Sequence, residues 1–380
     1  MQEPGAVGTG TGVGGGYPGD GRGGRSIGLQ GSVWVAPGIL RLSLPTPYPV
    51  GDVNVYAVLG AVPTLVDVGP ATGEAWEALT RGLAEHGLEP RDFAQVVITH
   101  THADHFTQLP RFLAAAAERG GGGGRVGRGR PLVAAHRWGA RSFRGGDDPQ
   151  RVDFFRRFAR MAGVPEAEVE GMLRVLAGLL ALEPRLAVDR WLDDGDVIAM
   201  GDDRWRVLHT PGHAQSQICL YRERDGVLIS SDHLLPAISS NALAEPPPLD
   251  EEGRPARTEP PRSLVDYRAS LGRVRSLPAP LCLPGHGEPF RDHRGLVDER
   301  LAAMDARAAQ IADALEELGG TATLYDLAVH LFGRGQPAHL MLALSEVNGH
   351  VEWMEAEGRI QRRPGGHGGE VALFAPVGRG

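Results

Sequence analysis

Residues Val96 to Leu109 read VVITHTHADHFTQL. A short apolar run stops, and His100, His102, Asp104 and His105 follow directly. Neutral imidazoles and carboxylates are good ligands for zinc and similar ions. In a turn at the end of a strand, alternate residues point different ways. His100 and His102 can therefore face one metal while Asp104 and His105 face a neighbouring one. Such a site needs a third protein ligand for one ion and a bridge between the two. His213 in LHTPGHAQS, Asp232 in ISSDHLLP and His286 in LPGHGEP are candidates, each after an apolar run and beside a Gly or Pro turn. Ligands arriving from the ends of several strands are how a rigid scaffold builds a site. A lone histidine after a strand is ordinarily a surface or core residue, so His213 and His286 gain weight only from the cluster. His86, His330, His339, His350 and His367 are assigned to solvent or packing. His136, His209 and His233 lie close to the site segments in sequence and are read as supporting or structural, since metal ligands usually carry such partners.

The elements that must position these residues follow from the pattern. Residues 1–30 are Gly-rich with few large apolar groups and are read as a disordered tail. From Val33 onward, SVWVAPGILRLSLP, VNVYAVLG and PTLVDVG are β-branched runs broken by Gly and Pro, the pattern of hairpins. A helix is expected over 73–86 with Gly87 as its stop, then a strand over 95–98 leading into the histidines. Further expectations are a helix over 106–118, a flexible loop at 121–130 and a strand at PLVAAH. Residues 153–182 have apolar groups at helical spacing, broken at Gly163 and Pro165, and read as two helices. Sheet resumes at DVIAM, WRVLHTPGH, ICLYRE and GVLISSD. A proline-rich loop (245–261), a helix near 264–276 and the strand PLCLPGHG complete this part. After Asp298 a long helix (298–318), further helices and a Gly-turn hairpin follow in the order of a winged-helix module.

Composition bounds the function. The chain of 380 residues carries 39 basic and 47 acidic side chains, a net charge of -8, which argues against a surface wholly devoted to nucleic acid. Every cationic side chain other than histidine is arginine, so a lysine Schiff base or lysine general base is excluded. Cys219 and Cys282 sit in apolar runs and read as buried free thiols, which fits a reducing cytoplasm. No apolar run is long enough to span a bilayer, and the N-terminus lacks the apolar stretch of a secretory signal.

THTHADH, TPGH, the Asp of SSDH and the His of PGHG resemble, in this order, the motifs of the metallo-β-lactamase-fold hydrolases. They look most like the glyoxalase II-like branch, whose members hydrolyse thioesters and other esters. The resemblance covers about residues 33–291 and implies an α/β fold, a four-layer αββα sandwich. It implies two divalent ions, zinc best fitting the ligands, with iron and manganese also compatible. One would sit on His100, His102 and His213. The other would sit on Asp104, His105 and His286, with Asp232 bridging. Asp67 of VDVG resembles the family's first motif, which supports the metal loop without ligating. Asp104 would orient a metal-bridging hydroxide, and Asp232 would fix the spacing of the ions. The bridging carboxylate separates the chain from true β-lactamases of this fold, and His102 from the flavodiiron branch, which typically has Glu there. The C-terminal part resembles the winged-helix domain found after some hydrolases of this fold, including a mitochondrial endoribonuclease-like group. Glyoxalase II proper ends in a different helical domain that uses lysine in binding glutathione, and this chain has none.

The domains implied are 31–297, a hydrolase with a helical insertion at about 150–183, and 298–380, a winged helix. The function implied is attack of the metal-bridged hydroxide on an ester or thioester carbonyl, as in an acyl-CoA. The insertion could form an apolar lid over an acyl group or simply pack, and Arg141 and Arg144 could meet an anionic handle. Two alternatives stand beside this. One is a metal-dependent endoribonuclease or phosphodiesterase, supported by the winged helix and by GGGGRVGRGR. The other is a DNA-binding regulator with a vestigial hydrolase domain, which the intact ligand set opposes. Glu346, Glu352, Glu355 and Glu357 crowd the would-be recognition helix, whereas phosphate contact needs cations. The partner expected is therefore a small acyl ester or thioester. The winged helix is expected to serve packing or a homodimer, and no membrane is expected.

Overall fold

The computed structural model describes residues 31–118, 129–257, 259, 261–365 and 371–377. The expected N-terminal tail, most of the 121–130 loop and His367 lie outside the described residues. β1 (Ser32–Ala36) and β2 (Ile39–Leu44) are joined at Pro37-Gly38, where Gly38 takes a φ of 73° that a side chain would resist. β3 (Val53–Val58) and β4 (Thr64–Val66) continue antiparallel. β5 (Gln95–Ile98), β6 (Leu132–His136) and β7 (Arg190–Leu192) then add in parallel, giving a seven-stranded sheet in chain order.

Parallel neighbours need long crossovers, and helices supply them. α1 (Gly73–Ala84) joins β4 to β5, and α2 (Ala103–Phe106) and α3 (Leu109–Ala117) join β5 to β6. α4 (Pro149–Met161) and α5 (Glu166–Leu180) join β6 to β7. The helix expected over 106–118 is thus two: the histidine turn itself winds into α2, and the chain restarts at Leu109-Pro110, proline suiting a first helical turn. β8 (Val197–Met200), β9 (Asp203–His209), β10 (Ile218–Arg222) and β11 (Val227–Ser231) form an antiparallel second sheet. β12 (Leu281–Pro284) joins it parallel to β11 after α6 (Ser263–Arg275).

The period-two alternation of the strands sorts the core. Leu40, Leu42, Val53, Val55, Val96 and Ile98 meet Leu79, Leu83 and Phe112 of the helices on one face. Ile39, Tyr56, Val58 and Val97 turn to the other face and pack on Trp205, Val207, Leu220 and Ile229 of the second sheet. Val274 of α6 covers that sheet's outer face with Cys219, Leu228 and Cys282. The layers are therefore αββα. Both cysteines are buried free thiols, pushed up to about 12 by burial.

The C-terminal part comprises α7 (His293–Glu317), α8 (Leu324–Phe332) and α9 (Pro337–Ala356), then the antiparallel pair β13 (Ile360–Pro364) and β14 (Ala372–Pro376). α7 starts at His293 and not at Asp298, because Asp292 caps it by accepting from Gly295 N at 2.8 Å. The α4–α5 hairpin packs here. Phe158, Leu173, Leu176 and Leu180 share one apolar cluster with Ile311, Leu315, Leu324 and Val347. Tyr325 N donates to Ala162 O at 2.9 Å, and its hydroxyl donates to Glu168 Oε1 at 2.7 Å. The apolar face of the hairpin is thus engaged by the C-terminal helices. Among the described residues no helix is long and apolar enough to cross a membrane.

Candidate metal centre

The ends of β5, β11 and β12 and the turn between β9 and β10 converge on one buried pocket. Two residues there hold left-handed backbone: Asp67 after β4 (φ 61°) and Ser231 at the end of β11 (φ 46°). Such conformations are costly away from glycine and are retained where surrounding structure fixes them. Asp67 shows how. Its Oδ1 accepts from Thr99 N at 2.8 Å, and its Oδ2 accepts from Thr99 Oγ1 at 2.8 Å. The same Oδ2 lies 2.9 Å from His105 Nδ1. Thr99 Oγ1 is also 2.8 Å from Ser231 Oγ and 3.2 Å from His100 Nδ1. One buried carboxylate and one hydroxyl thus tie the β5 loop to the β11 loop.

All seven residues singled out from sequence meet in this pocket. His100, His102 and His213 form one group, His100, His105 and Asp232 a second, and Asp104, His105 and His286 a third, with candidate ligand atoms within 4.8 Å of one another in each. His100 Nε2 is 3.1 Å from His102 Nδ1. Asp232 stands in the middle: Oδ1 is 3.3 Å from His105 Nε2, and Oδ2 is 3.6 Å from His213 Nε2 and 3.4 Å from His286 Nε2. Asp104 Oδ2 is 3.2 Å from His286 Nε2. The other ring nitrogens are fixed from behind. His213 Nδ1 lies 3.0 Å from Asn241 O, and His286 Nδ1 lies 2.8 Å from Asp52 O. A backbone carbonyl on Nδ1 selects the tautomer that leaves Nε2 free to ligate.

The donor set fits metal ions. The buried atoms His105 Nε2, His213 Nε2, His286 Nε2 and Asp232 Oδ1 face one another without a well-aligned hydrogen bond, an arrangement that buried polar groups ordinarily avoid. Five imidazoles and two carboxylates suit zinc and its neighbours. The local electrostatics agree. Burial and neighbouring imidazoles hold His100 far below the usual histidine range, and burial holds His102 at about 3. Burial also depresses His213. At His105 burial is outweighed by Asp232, Asp104 and Asp67, which raise it well above that range. Asp232 and Asp104 likewise hold His286 at about 10 against burial. Burial opposes the charge on Asp232, but His286 and His105 hold it well below the carboxylate range. The carboxylates call for positive charge, which protons on two histidines or cations can provide.

Gly285 leaves the room this packing needs, since a Cβ there would lie 2.0 Å from Asp232 Oδ1. His136 stacks on His209 at 3.7 Å, and His233 lies edge-on to Tyr267, all three outside the ligand groups. His86 reaches Ser32 Oγ at 2.9 Å, His330 pairs with Glu317, and His350 is buried on α9. Arg141 donates to Asp148 at 2.6 Å, and Arg144 donates to Glu251 O at 2.8 Å. Thr99, Asn241 and Gly285 also shape the site and carry no motif of their own in the sequence. The half-buried Tyr48 hydroxyl is raised by burial and by the charge of Asp104.

The profile of the metallo-beta-lactamase superfamily matches residues 48–286, which hold every residue of the pocket. The chain belongs to that superfamily. It is 32% identical over 328 residues to the probable metallo-hydrolase YqjP of Bacillus subtilis (strain 168), spanning 85% of this chain and 93% of that protein. A crystal structure of a metallo-beta-lactamase family protein from Thermus thermophilus superposes with a TM-score of 0.71 at 28% identity, covering 90% of this chain and 100% of that one. The acyl-coenzyme A thioesterase MBLAC2 of Homo sapiens is 28% identical over 185 residues, 47% of this chain and 57% of that protein. The chain is thus a metallo-beta-lactamase-superfamily hydrolase whose His/Asp clusters can bind metal ions.

Proposed function

We propose that this hydrolase cleaves acyl thioesters of the acyl-coenzyme A kind, using two zinc ions held by His100, His102 and His213 and by Asp104, His105 and His286, with Asp232 between them. The observation that carries the reading is the position of the Asp232 carboxylate, within 3.6 Å of ring nitrogens from both groups. Bound ions of this type supply Lewis acidity and water of near-neutral pKa. The chain's own residues do the rest. Asp232 sets the spacing. Asp104, 3.2 Å from His286 Nε2 and ionised at neutral pH, is placed to take a proton from water and return it to the leaving thiolate. Asp67, Asn241 O and Asp52 O hold the imidazoles in orientation.

The thioester class is supported by the likeness to the MBLAC2 thioesterase and by the motifs shared with the glyoxalase II-like branch. We read residues 31–297 as the hydrolase and 298–380 as a winged helix serving packing. Of its candidate phosphate contacts on the hairpin, Arg359 pairs with Glu357 at 3.3 Å and Arg362 lies over Phe374 and 3.6 Å from Glu355, while Arg363 is exposed. The nuclease reading is disfavoured chiefly by the acidic face of α9, with Glu346, Glu352, Glu355 and Glu357. Free buried thiols are in keeping with the cytoplasm. The test is a panel of medium-chain acyl-coenzyme A, acyl-glutathione and single-stranded RNA given to one zinc-loaded preparation. Release of free coenzyme A at rates above the other two supports the proposal. RNA cleavage with inert thioesters overturns it.

A further inference from the structure

The loop after β11 begins with Asp232 and runs to Asn241, and the C-terminal helices grip it from outside. Arg300 of α7 is 11% exposed, and its Nη2 donates to the carbonyls of Leu235 (3.1 Å), Pro236 (3.3 Å) and Ile238 (3.2 Å). At the far end of the loop, Asn241 Nδ2 donates to Leu342 O of α9 at 3.2 Å. The carbonyl of that same Asn241 lies 3.0 Å from His213 Nδ1. Between the two grips, Ser240 Oγ donates to the carbonyl of Asp232. Leu234 and Ala242 are buried in the apolar cluster that α7, α8 and α9 share. The two functional groups of the loop, the Asp232 carboxylate and the Asn241 carbonyl, are therefore positioned by helices beyond the residues 48–286 that match the superfamily.

We propose that the C-terminal helices position the metal centre, with Arg300 and the Asn241–Leu342 contact setting Asp232 and His213 for cation binding. This rests on the reading of His213 and Asp232 as ligands. A carbonyl behind an imidazole fixes its orientation, and loss of such partners typically weakens metal binding roughly 10- to 100-fold. Arg300 and Asn241 are positioning residues and touch no reacting atom.

The experiment titrates cobalt(II) into metal-free, full-length protein, following the visible absorption of the bound ion, below the melting temperature of every variant. Arg300→Ala and Asn241→Ala are expected to weaken one bound equivalent by roughly 10- to 100-fold while circular dichroism stays native. Arg294→Ala is the control, because Arg294 also binds carbonyls from α7, those of Arg275 and Leu277, away from the loop. It is expected to titrate as the wild type does. A purely structural role would lower the melting temperature and leave cobalt affinity alone, so unchanged affinity in both folded variants overturns the proposal. If Arg300→Ala does not accumulate folded, Asn241→Ala, which removes one side-chain amide, decides the matter. A wild-type titration by His213→Ala would instead overturn the ligand assignment beneath it.

Discussion

Replacing Asp67 by Asn isolates the contribution of one supporting carboxylate. The backbone should survive, since asparagine tolerates the φ of 61° that Asp67 adopts. One side-chain oxygen can still accept from Thr99 N, as Oδ1 does at 2.8 Å. The other becomes an NH2 group facing Thr99 Oγ1 and His105 Nδ1, at the positions now 2.8 and 2.9 Å from Oδ2. The threonine hydroxyl can rotate towards Ser231 Oγ, 2.8 Å away. The imidazole has no such escape. It must turn, or move its proton to the nitrogen that faces Asp104 and Asp232. The loss is one hydrogen bond to a charged group, about 1.5–3 kcal/mol. At 1.4 kcal/mol per tenfold, that is roughly 10- to 150-fold in affinity for a cation on His105. Competition of zinc between the metal-free protein and a chelator of known affinity measures it. Binding within about twofold of wild type would refute the reasoning, because it would mean that the Asp67–His105 contact does not orient a ligand.

Three further outcomes follow from the same geometry. Gly285→Ala would put a Cβ 2.0 Å from Asp232 Oδ1 and 3.0 Å from His105 Cε1, so hydrolysis should fall by orders of magnitude; wild-type turnover would show that the Asp232 carboxylate has no fixed place. Glu352 on α9 is held at about 7 by burial, against 4.5 when free. Its folded value is the higher one, so the protein is most stable below pH 4.5 with respect to this group and loses about 1–3 kcal/mol as pH rises towards 7. Glu352→Gln should flatten that part of the pH–stability curve, and a variant with the wild-type slope between those values would remove Glu352 as its source. Arg141→Ala should cost stability through the freed Asp148, which now accepts from it at 2.6 Å, and leave the KM for an acyl-coenzyme A unchanged; a several-fold rise in KM would restore it as a substrate contact.

The site was legible in the sequence where a residue's type carries its chemistry. His100, His102, Asp104 and His105 stand together after an apolar strand, and His213, Asp232 and His286 each follow another. What supports them was less legible, because much of it is backbone. The carbonyls of Asp52 and Asn241 act on His286 and His213 whatever side chain those positions bear. Gly285 needed the three-dimensional approach of Asp232 before its lack of a Cβ acquired meaning. The strands of the sandwich announced themselves through alternation, as in Leu40 and Leu42 against Ile39. β7 did not, since Arg190–Leu192 is three residues long and its pairing with β6 is set by a crossover rather than by its own pattern. The partner of the α4–α5 hairpin was also hidden. An amphipathic face says that something covers it, and only the fold shows that Leu324, Leu344 and Val347 do.

The most direct test of the account follows thiol release from a medium-chain acyl-coenzyme A while zinc is added stepwise to metal-free protein, in parallel with Asp232→Asn. Turnover is expected to be absent without metal, to rise until two equivalents are bound, and to fall by orders of magnitude in the variant with its circular dichroism intact. Full turnover by the metal-free protein, or by Asp232→Asn, would contradict that expectation.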